Sequence, residues 1–170
     1  MPGVGESPVF GSVDAERQYV PIFDWKGTQP GLDADRVIIL GMSYGGYWAT
    51  KLAHVFADRI LAAVNWGGGT HTFFYARLVP ALGQHEKLLD GFRPITRSNG
   101  RRSIDEYIER VAGFSLVDQG VLNGPHASML PVNGRDDQQV PVDDLLLLLD
   151  YGKPKATILE WIKCVARMSR

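Results

Sequence analysis

The chain has 170 residues, of which 45% are hydrophobic and 22% charged, with a formal net charge of −1. That length supports one domain with a hydrophobic core, and the composition is that of a globular protein without low-complexity tracts. Acids and bases are interspersed, leaving no basic face to neutralise phosphates, so nucleic-acid and membrane-surface roles are not expected.

Met1 to Ser12 is rich in glycine and proline and reads as a loop. Asp14 to Lys26 carries Tyr19, Ile22, Phe23 and Trp25 at helical spacing, with a kink expected at Pro21. After a turn from Gly27 to Asp33, the short apolar run Val37–Leu40 has the character of a buried parallel strand. A helix is expected from about Gly45 to Phe56, with Trp48, Leu52, Val55 and Phe56 inward, and then a second buried strand from Ile60 to Asn65. From Thr70 to Pro125 the pattern changes. The capping box Ser103-Ile104-Asp105-Glu106 opens a helix with Ile104, Tyr107, Ile108 and Val111 on one face. The cluster Arg93, Arg97, Arg101 and Arg102 reads as a solvated loop. Met129–Asn133 is a third strand, Val142–Leu149 a helix stopped by Gly152 and Pro154, and Ala156–Ile162 a candidate fourth strand. Strands alternating with helices predict a parallel α/β sheet flanked by helices. Residues 1–69 and 126–170 would form its core, and residues 70–125 a helical cap or lid inserted between strands.

Gly41-Met42-Ser43-Tyr44-Gly45 has the form G-x-S-x-G and falls between a predicted strand and a predicted helix. Chemistry requires those residue types. A sharp turn lifts the serine hydroxyl off the sheet edge, small neighbours let the turn close, and the helix N-terminus favours a developing oxyanion. Ser43 is the candidate nucleophile, with the backbone N–H of Tyr44 as an oxyanion donor; the plainer reading is a glycine-rich turn with an incidental serine. A nucleophilic serine needs a base, and the base an orienting acid. Asn133–Pro141 follows the third strand, and its spacing selects Asp137 over Asp136 as the acid, against an alternative in which it is a helix N-cap.

The base is harder to place, because no histidine follows Asp137. His54 is expected on the outer side of its helix and His85 in an exposed polar stretch. His126 precedes the third strand, which puts it at the opposite sheet edge from Asp137, more than about 15 Å away. His71, just beyond Gly67-Gly68-Gly69, is the candidate stand-in base; otherwise it lines a pocket or faces solvent. By this reading the triad is incomplete.

The elbow Gly41–Ala49, the strand end Asn65–Gly69 and the acid loop Asn133–Pro141 together resemble one branch of the α/β-hydrolases. That branch holds fermentation-respiration-switch-type esterases, dihydropseudooxynicotine hydrolase, and fungal hydrolases of polyketide and host-selective-toxin clusters, the fungal members being most similar. The opening Pro2–Pro8 also resembles their loop after the fourth core strand, so the likeness spans most of residues 2 to 155. It implies a partial α/β-hydrolase fold, Ser43 as nucleophile, Asp137 as triad acid, and a cap over a small acyl or polyketide-like substrate. The reaction implied is hydrolysis of an ester, thioester or activated C–C bond, with no metal or organic cofactor. Two departures accompany it. Relatives have several strands before the Pro-Gly-x-Gly-Glu-Ser loop, and they carry the catalytic histidine in a Gly-Gly-His segment where this chain reads Glu160–Met168.

With four candidate strands the edge beside the first would lie bare, so an oligomer or partner covering it is expected. The one cysteine, Cys164, allows no internal disulfide. No apolar run reaches the ~18 residues of a membrane span, and the N-terminus has no signal-peptide pattern. An intracellular, cytoplasmic location is the expectation, with the peroxisome as the alternative by family analogy, although Met168-Ser169-Arg170 is not the Ser-Lys-Leu address. Two functions remain open: a serine hydrolase of secondary metabolism, or a catalytically impaired remnant that binds a ligand or partner.

Overall fold

The computed structural model describes residues 1–3, 5–9, 11–78, 110–137 and 139–154. A 3-10 turn at Ala15–Tyr19 leads directly into helix α1, Val20–Gly27. Pro21 sits in the first turn of α1, where a backbone N–H would lack a helical partner anyway, so the proline opens this helix. Strand β1, Ile38–Met42, follows, then helix α2, Tyr44–Val55, and strand β2, Ala62–Trp66. A π-helical segment covers Phe73–Leu78 and a 3-10 turn covers Val121–Asn123. The chain continues as the two-residue strand β3, Pro125–His126, and strand β4, Ser128–Val132. Helix α3, Asp143–Leu147, and the short strand β5, Lys153–Pro154, complete the described elements.

The three longer strands form a parallel sheet in the order β1–β2–β4. Their registers match at the ends: Met42 pairs with Trp66, and Trp66 with Val132. All three chains therefore leave the sheet at one edge and at one level, which is where a parallel α/β sheet builds its sites. β5 pairs in parallel with β3, just ahead of β4.

Helix α2 is the centre of the packing. Residues Gly46 through His54 are all buried, because one side of the helix lies on β1 and β2 and the other is covered in turn. Tyr47 and Trp48 join Phe74, Val111, Phe114, Leu116, Leu122 and Leu148 in one apolar cluster. Leu52 and Ala53 join Phe23, Ile60, Ala63 and Ala127 in another. Lys51 is buried as well; its ammonium is 3.0 Å from the Glu16 carboxylate and 2.9 Å from Gln119 Oε1, and it also donates to the Val13 carbonyl. Complete pairing of this kind is what allows a lysine to sit in a core.

Three expectations need correction. Val55 faces outward at 42% exposure, because α2 ends there. β1 is not buried on both faces: Ile38, Leu40 and Met42 are 60–65% exposed, since α2 covers only the alternate face. His54 is inside rather than outside, for a helix enclosed on all sides has no outer face at that position. The capping-box helix, the arginine cluster, His85 and the candidate fourth strand at 156–162 lie outside the described residues. Among the described residues, no helix is long and apolar enough to cross a membrane.

Candidate active site

Ser43 occupies a backbone conformation that side chains rarely adopt. Its φ is 54° and ψ −122°, and it is the one non-glycine residue with positive φ among those described. Such strain persists only where surrounding structure enforces it. The Ser43 N–H donates to the Trp66 carbonyl at 2.8 Å, continuing the β1–β2 ladder one residue past the strands, while its own carbonyl accepts from Gly46 and Tyr47 and starts α2. Residue 43 is thus a ladder residue on one side and a helix cap on the other, leaving no room for an ordinary turn. The bend closes because Gly41 and Gly45 touch: a Cβ on Gly41 would stand 1.9 Å from the Gly45 carbonyl oxygen.

A second glycine contact brings the loop after β2 over the start of α2. A Cβ on Gly68 would lie 2.4 Å from the Gly46 carbonyl carbon, and one on Gly46 would lie 2.3 Å from Asn65 Oδ1. Buried Asn65 ties this corner together. Its amide donates to Thr50 Oγ1 at 2.8 Å and to the Gly68 carbonyl at 3.1 Å, while its oxygen accepts the Gly68 N–H at 2.7 Å. The segment Asn65–Gly69, read in sequence only as a strand end, is the brace that holds the elbow.

Ser43 is exposed at the carboxyl end of the sheet. Gly46 and Tyr47 spend their N–H groups on the Ser43 carbonyl, whereas the N–H of Tyr44 has no acceptor among the described residues. A free helix-start N–H beside the hydroxyl is what an oxyanion donor requires. The Tyr44 phenol itself is pushed up to about 12 by burial, so it stays protonated at neutral pH and is no base.

Asp137 also lies beyond the carboxyl end of the sheet, in the loop after β4. Gly67 donates to Val132 at 2.8 Å, so the exits of β1, β2 and β4 are adjacent, with those of β1 and β4 about 10 Å apart at ordinary strand spacing. Asp137 is half-buried and Asp136 exposed. Asp137 Oδ1 accepts the N–H groups of Gln139 at 2.7 Å and Val140 at 3.1 Å, and Asn133 donates to the Val140 carbonyl at 2.9 Å. The carboxylate therefore has a local turn-forming duty; it is not the N-cap of α3, whose cap position is Val142 with no side-chain cap bond.

His71 stands five residues beyond β2 at the same edge. Its Nδ1 is 2.7 Å from Ser115 Oγ, its ring meets Tyr75 at 5.5 Å, and its backbone N–H reaches Asp144 Oδ1 at 3.2 Å. The structure gathers Ser43, Tyr44, His71 and Asp137 at one edge of one sheet. It makes no hydrogen bond from Ser43 Oγ to His71 or Asp137 among the described residues. His54 and His126 lie elsewhere, their rings 4.9 Å apart, with His126 on β3 at the amino end of the β4 segment.

Sequence reasoning passed over Asp144. Fully buried, its carboxylate accepts four backbone N–H groups: Thr70 at 3.0 Å, His71 at 3.2 Å, Thr72 at 2.6 Å and Phe73 at 3.0 Å. Its carbonyl takes the Thr70 hydroxyl at 3.1 Å. One side chain on α3 thereby fixes the whole departure of the chain from β2. In sequence it is the second of two adjacent aspartates at the start of a helix, and only its position there hinted at a capping role. Among the described residues no group of three or more histidines, cysteines or acids is placed to hold a metal ion.

No family model and no curated protein matches this chain. Solved structures do. A 2,6-dihydroxy-pseudo-oxynicotine hydrolase superposes with a TM-score of 0.71 at 21% identity, over 90% of this chain and 41% of that one. AbyA5 gives 0.71 at 21% identity, over 91% of this chain and 44% of that one. The meta-cleavage product hydrolase CumD of Pseudomonas fluorescens IP01 gives 0.50 at 19% identity, over 90% and 66%. This chain spans less than half the length of the first two. The parallel sheet, its flanking helices, the strained serine between strand and helix, and these superpositions agree: over the described residues the chain has the α/β-hydrolase fold.

Proposed function

We propose that the chain carries the nucleophile site of a serine hydrolase acting on a small acyl or polyketide-like molecule. The observation that carries this reading is the backbone of Ser43, held at positive φ between a strand and a helix by contacts that exclude any side chain at Gly41. In this reading Ser43 Oγ attacks a carbonyl carbon, and the oxyanion forms against the Tyr44 N–H at the start of α2. Collapse of the tetrahedral intermediate expels an alcohol, thiol or stabilised carbanion, and water then releases the acyl group from the serine. Asp137 serves as the acid and His71 as the stand-in base, with residues 70–125 as a cap over the substrate. Two of the structural neighbours are named as hydrolases, of 2,6-dihydroxy-pseudo-oxynicotine and of a meta-cleavage product, which supports a hydrolytic reaction on a small molecule. A role in secondary metabolism, in the manner of fungal polyketide or toxin clusters, rests on sequence resemblance.

A second reading has its own support: among the described residues Ser43 Oγ has no hydrogen bond to a histidine, and His71 Nδ1 is engaged by Ser115 instead, so the chain keeps the fold as a binding or accessory protein. A fluorophosphonate probe separates the two. Labelling of the wild type that disappears in Ser43→Ala establishes an activated serine; an unlabelled wild type supports the binding protein. A partner or second copy over the β1 side of the sheet belongs to the same proposal.

A further inference from the structure

Two histidines that the candidate site leaves unused meet at the amino end of β4. His54 comes from the last turn of α2 and His126 from β3; both are buried, and their ring centroids lie 4.9 Å apart. His126 Nδ1 donates to the Ala127 carbonyl at 2.6 Å, so its neutral ring keeps the proton there and can take a second one only on Nε2. His54 Nδ1 is buried with no hydrogen-bond partner among the described residues. Whichever nitrogen bears the proton in the neutral ring, a charged His54 would hold an N–H at Nδ1 with nothing to accept it.

The turn after α3 lies directly on this pair. Gly152 has a φ of 83°, and a Cβ on it would stand 2.4 Å from His126 Cδ2, 3.0 Å from His126 Nε2 and 3.2 Å from His54 Cε1. A place too tight for a methyl group is too tight for a water molecule, so the closed turn keeps water from this side of both rings. Next to it, Tyr151 packs against the apolar cluster that holds Tyr47 and Trp48. β5 begins at the following residue and pairs with β3, Lys153 with Pro125 and Pro154 with His126.

No carboxylate pairs with either ring among the described residues. Along α2 the next titratable group is Lys51, whose ammonium is engaged by Glu16 and Gln119. Just past α2, Asp58 is exposed and Arg59 pairs with Asp24. β3 supplies only His126, and the turn supplies Tyr151 and the exposed Asp150. Burial, followed by the His126 ring, lowers His54 from 6.5 to about 4, against the opposing effect of the Gly124 backbone.

We infer that His54, His126 and Gly152 form an acid-sensitive latch, in which the neutral rings hold the turn after α3 shut and their protonation drives that turn and β5 away from β3. Opening lets water reach both imidazoles and lets their charges part. In the open form His54 returns toward 6.5, so between that value and about 4 the open form binds a proton that the closed form lacks. The ratio of open to closed chains therefore rises by up to about tenfold per pH unit as pH falls through this window, and above it the latch is at full strength.

The test is amide hydrogen exchange, read by NMR on the full chain from about pH 7.5 to about 4.5 and expressed as protection factors, which removes the intrinsic pH dependence of exchange. Protection at His126 and Tyr151–Lys153 is expected to fall by up to about tenfold per pH unit within the window, while Leu40 and Val64 of the β1–β2 ladder keep theirs. His54→Gln is expected to weaken that dependence, and His54→Gln combined with His126→Gln to abolish it. Protection at the joint that ignores pH overturns the inference. A loss there that only parallels the ladder is unfolding of the whole chain and overturns it too, as does a loss that persists in the double variant. The comparison of joint with ladder is made in the wild type, so it decides the matter even where a variant fails to fold.

Discussion

The two faces of the sheet are built from alternate residues of the same strands, yet they meet different surroundings. On the closed face, Gly41, Ala63 and Asn65 lie buried under α2, and glycine contacts leave no spare volume. On the open face, Ile38, Leu40 and Met42 are 60–65% exposed and Trp66 is 52% exposed. The side chains there are no less apolar. What differs is whether an element is close enough to remove them from water, so the stabilisation from an apolar strand depends on its cover and not on its own composition. Position-specific contacts are concentrated on the closed side, and there the candidate site is held.

The sharpest way to break this contrast is at Gly46. Gly46→Ala drives a methyl into Asn65 Oδ1 and the Gly68 backbone, and it is expected to cost about 3 kcal/mol or more in urea unfolding, with loss of Ser43 labelling. A well-folded Gly46→Ala protein would show that the elbow is not so tightly held.

Asp144→Ala comes next. It strips the acceptor from four backbone N–H groups, and a destabilisation of about 3 kcal/mol is expected, together with faster hydrogen exchange at Thr70–Phe73. Unchanged exchange there would assign the fixing of that segment to something else.

His54 sharpens the comparison through pH. Burial, followed by the nearby His126 ring, lowers His54 from 6.5 to about 4, and its Nδ1 has no hydrogen-bond partner. The unfolded chain therefore binds a proton that the folded chain does not between those two values. The contribution of His54 is complete above pH 6.5 and declines as pH falls toward 4, with a slope of at most ~1.4 kcal/mol per pH unit. His54→Gln should flatten that part of the curve, and an unaltered profile would remove His54 as its source.

The smallest effect is expected on the open face. Leu40→Ser should change stability by no more than about 0.5 kcal/mol in the isolated chain, since Leu40 is already 65% exposed. A larger loss, measured alongside sedimentation, would mean that a partner or second copy covers the face in solution.

Much of this molecule was legible before its structure. The apolar run at Val37–Leu40, the helical spacing after Gly45 and the G-x-S-x-G between them gave the strand, the helix and the exposed serine joining them, since each depends on contacts within a few residues. Gly41 meets Gly45, and Ser43 caps the helix that begins at Tyr44. Local geometry of this kind is written in local residue types. The histidines were less readable: helical periodicity assigns one face to the outside, and α2 has none at His54 because a second layer covers it.

What tertiary structure alone decided is which distant groups meet. Asp144 holds residues 71 to 74 positions away, His71 finds Ser115 at a separation of 44, and Lys51 finds Gln119 at 68. Hydrophobic period and turn chemistry constrain neighbours along the chain. The partner of a buried polar group is chosen by the packing of elements whose order in space the sequence pattern does not encode.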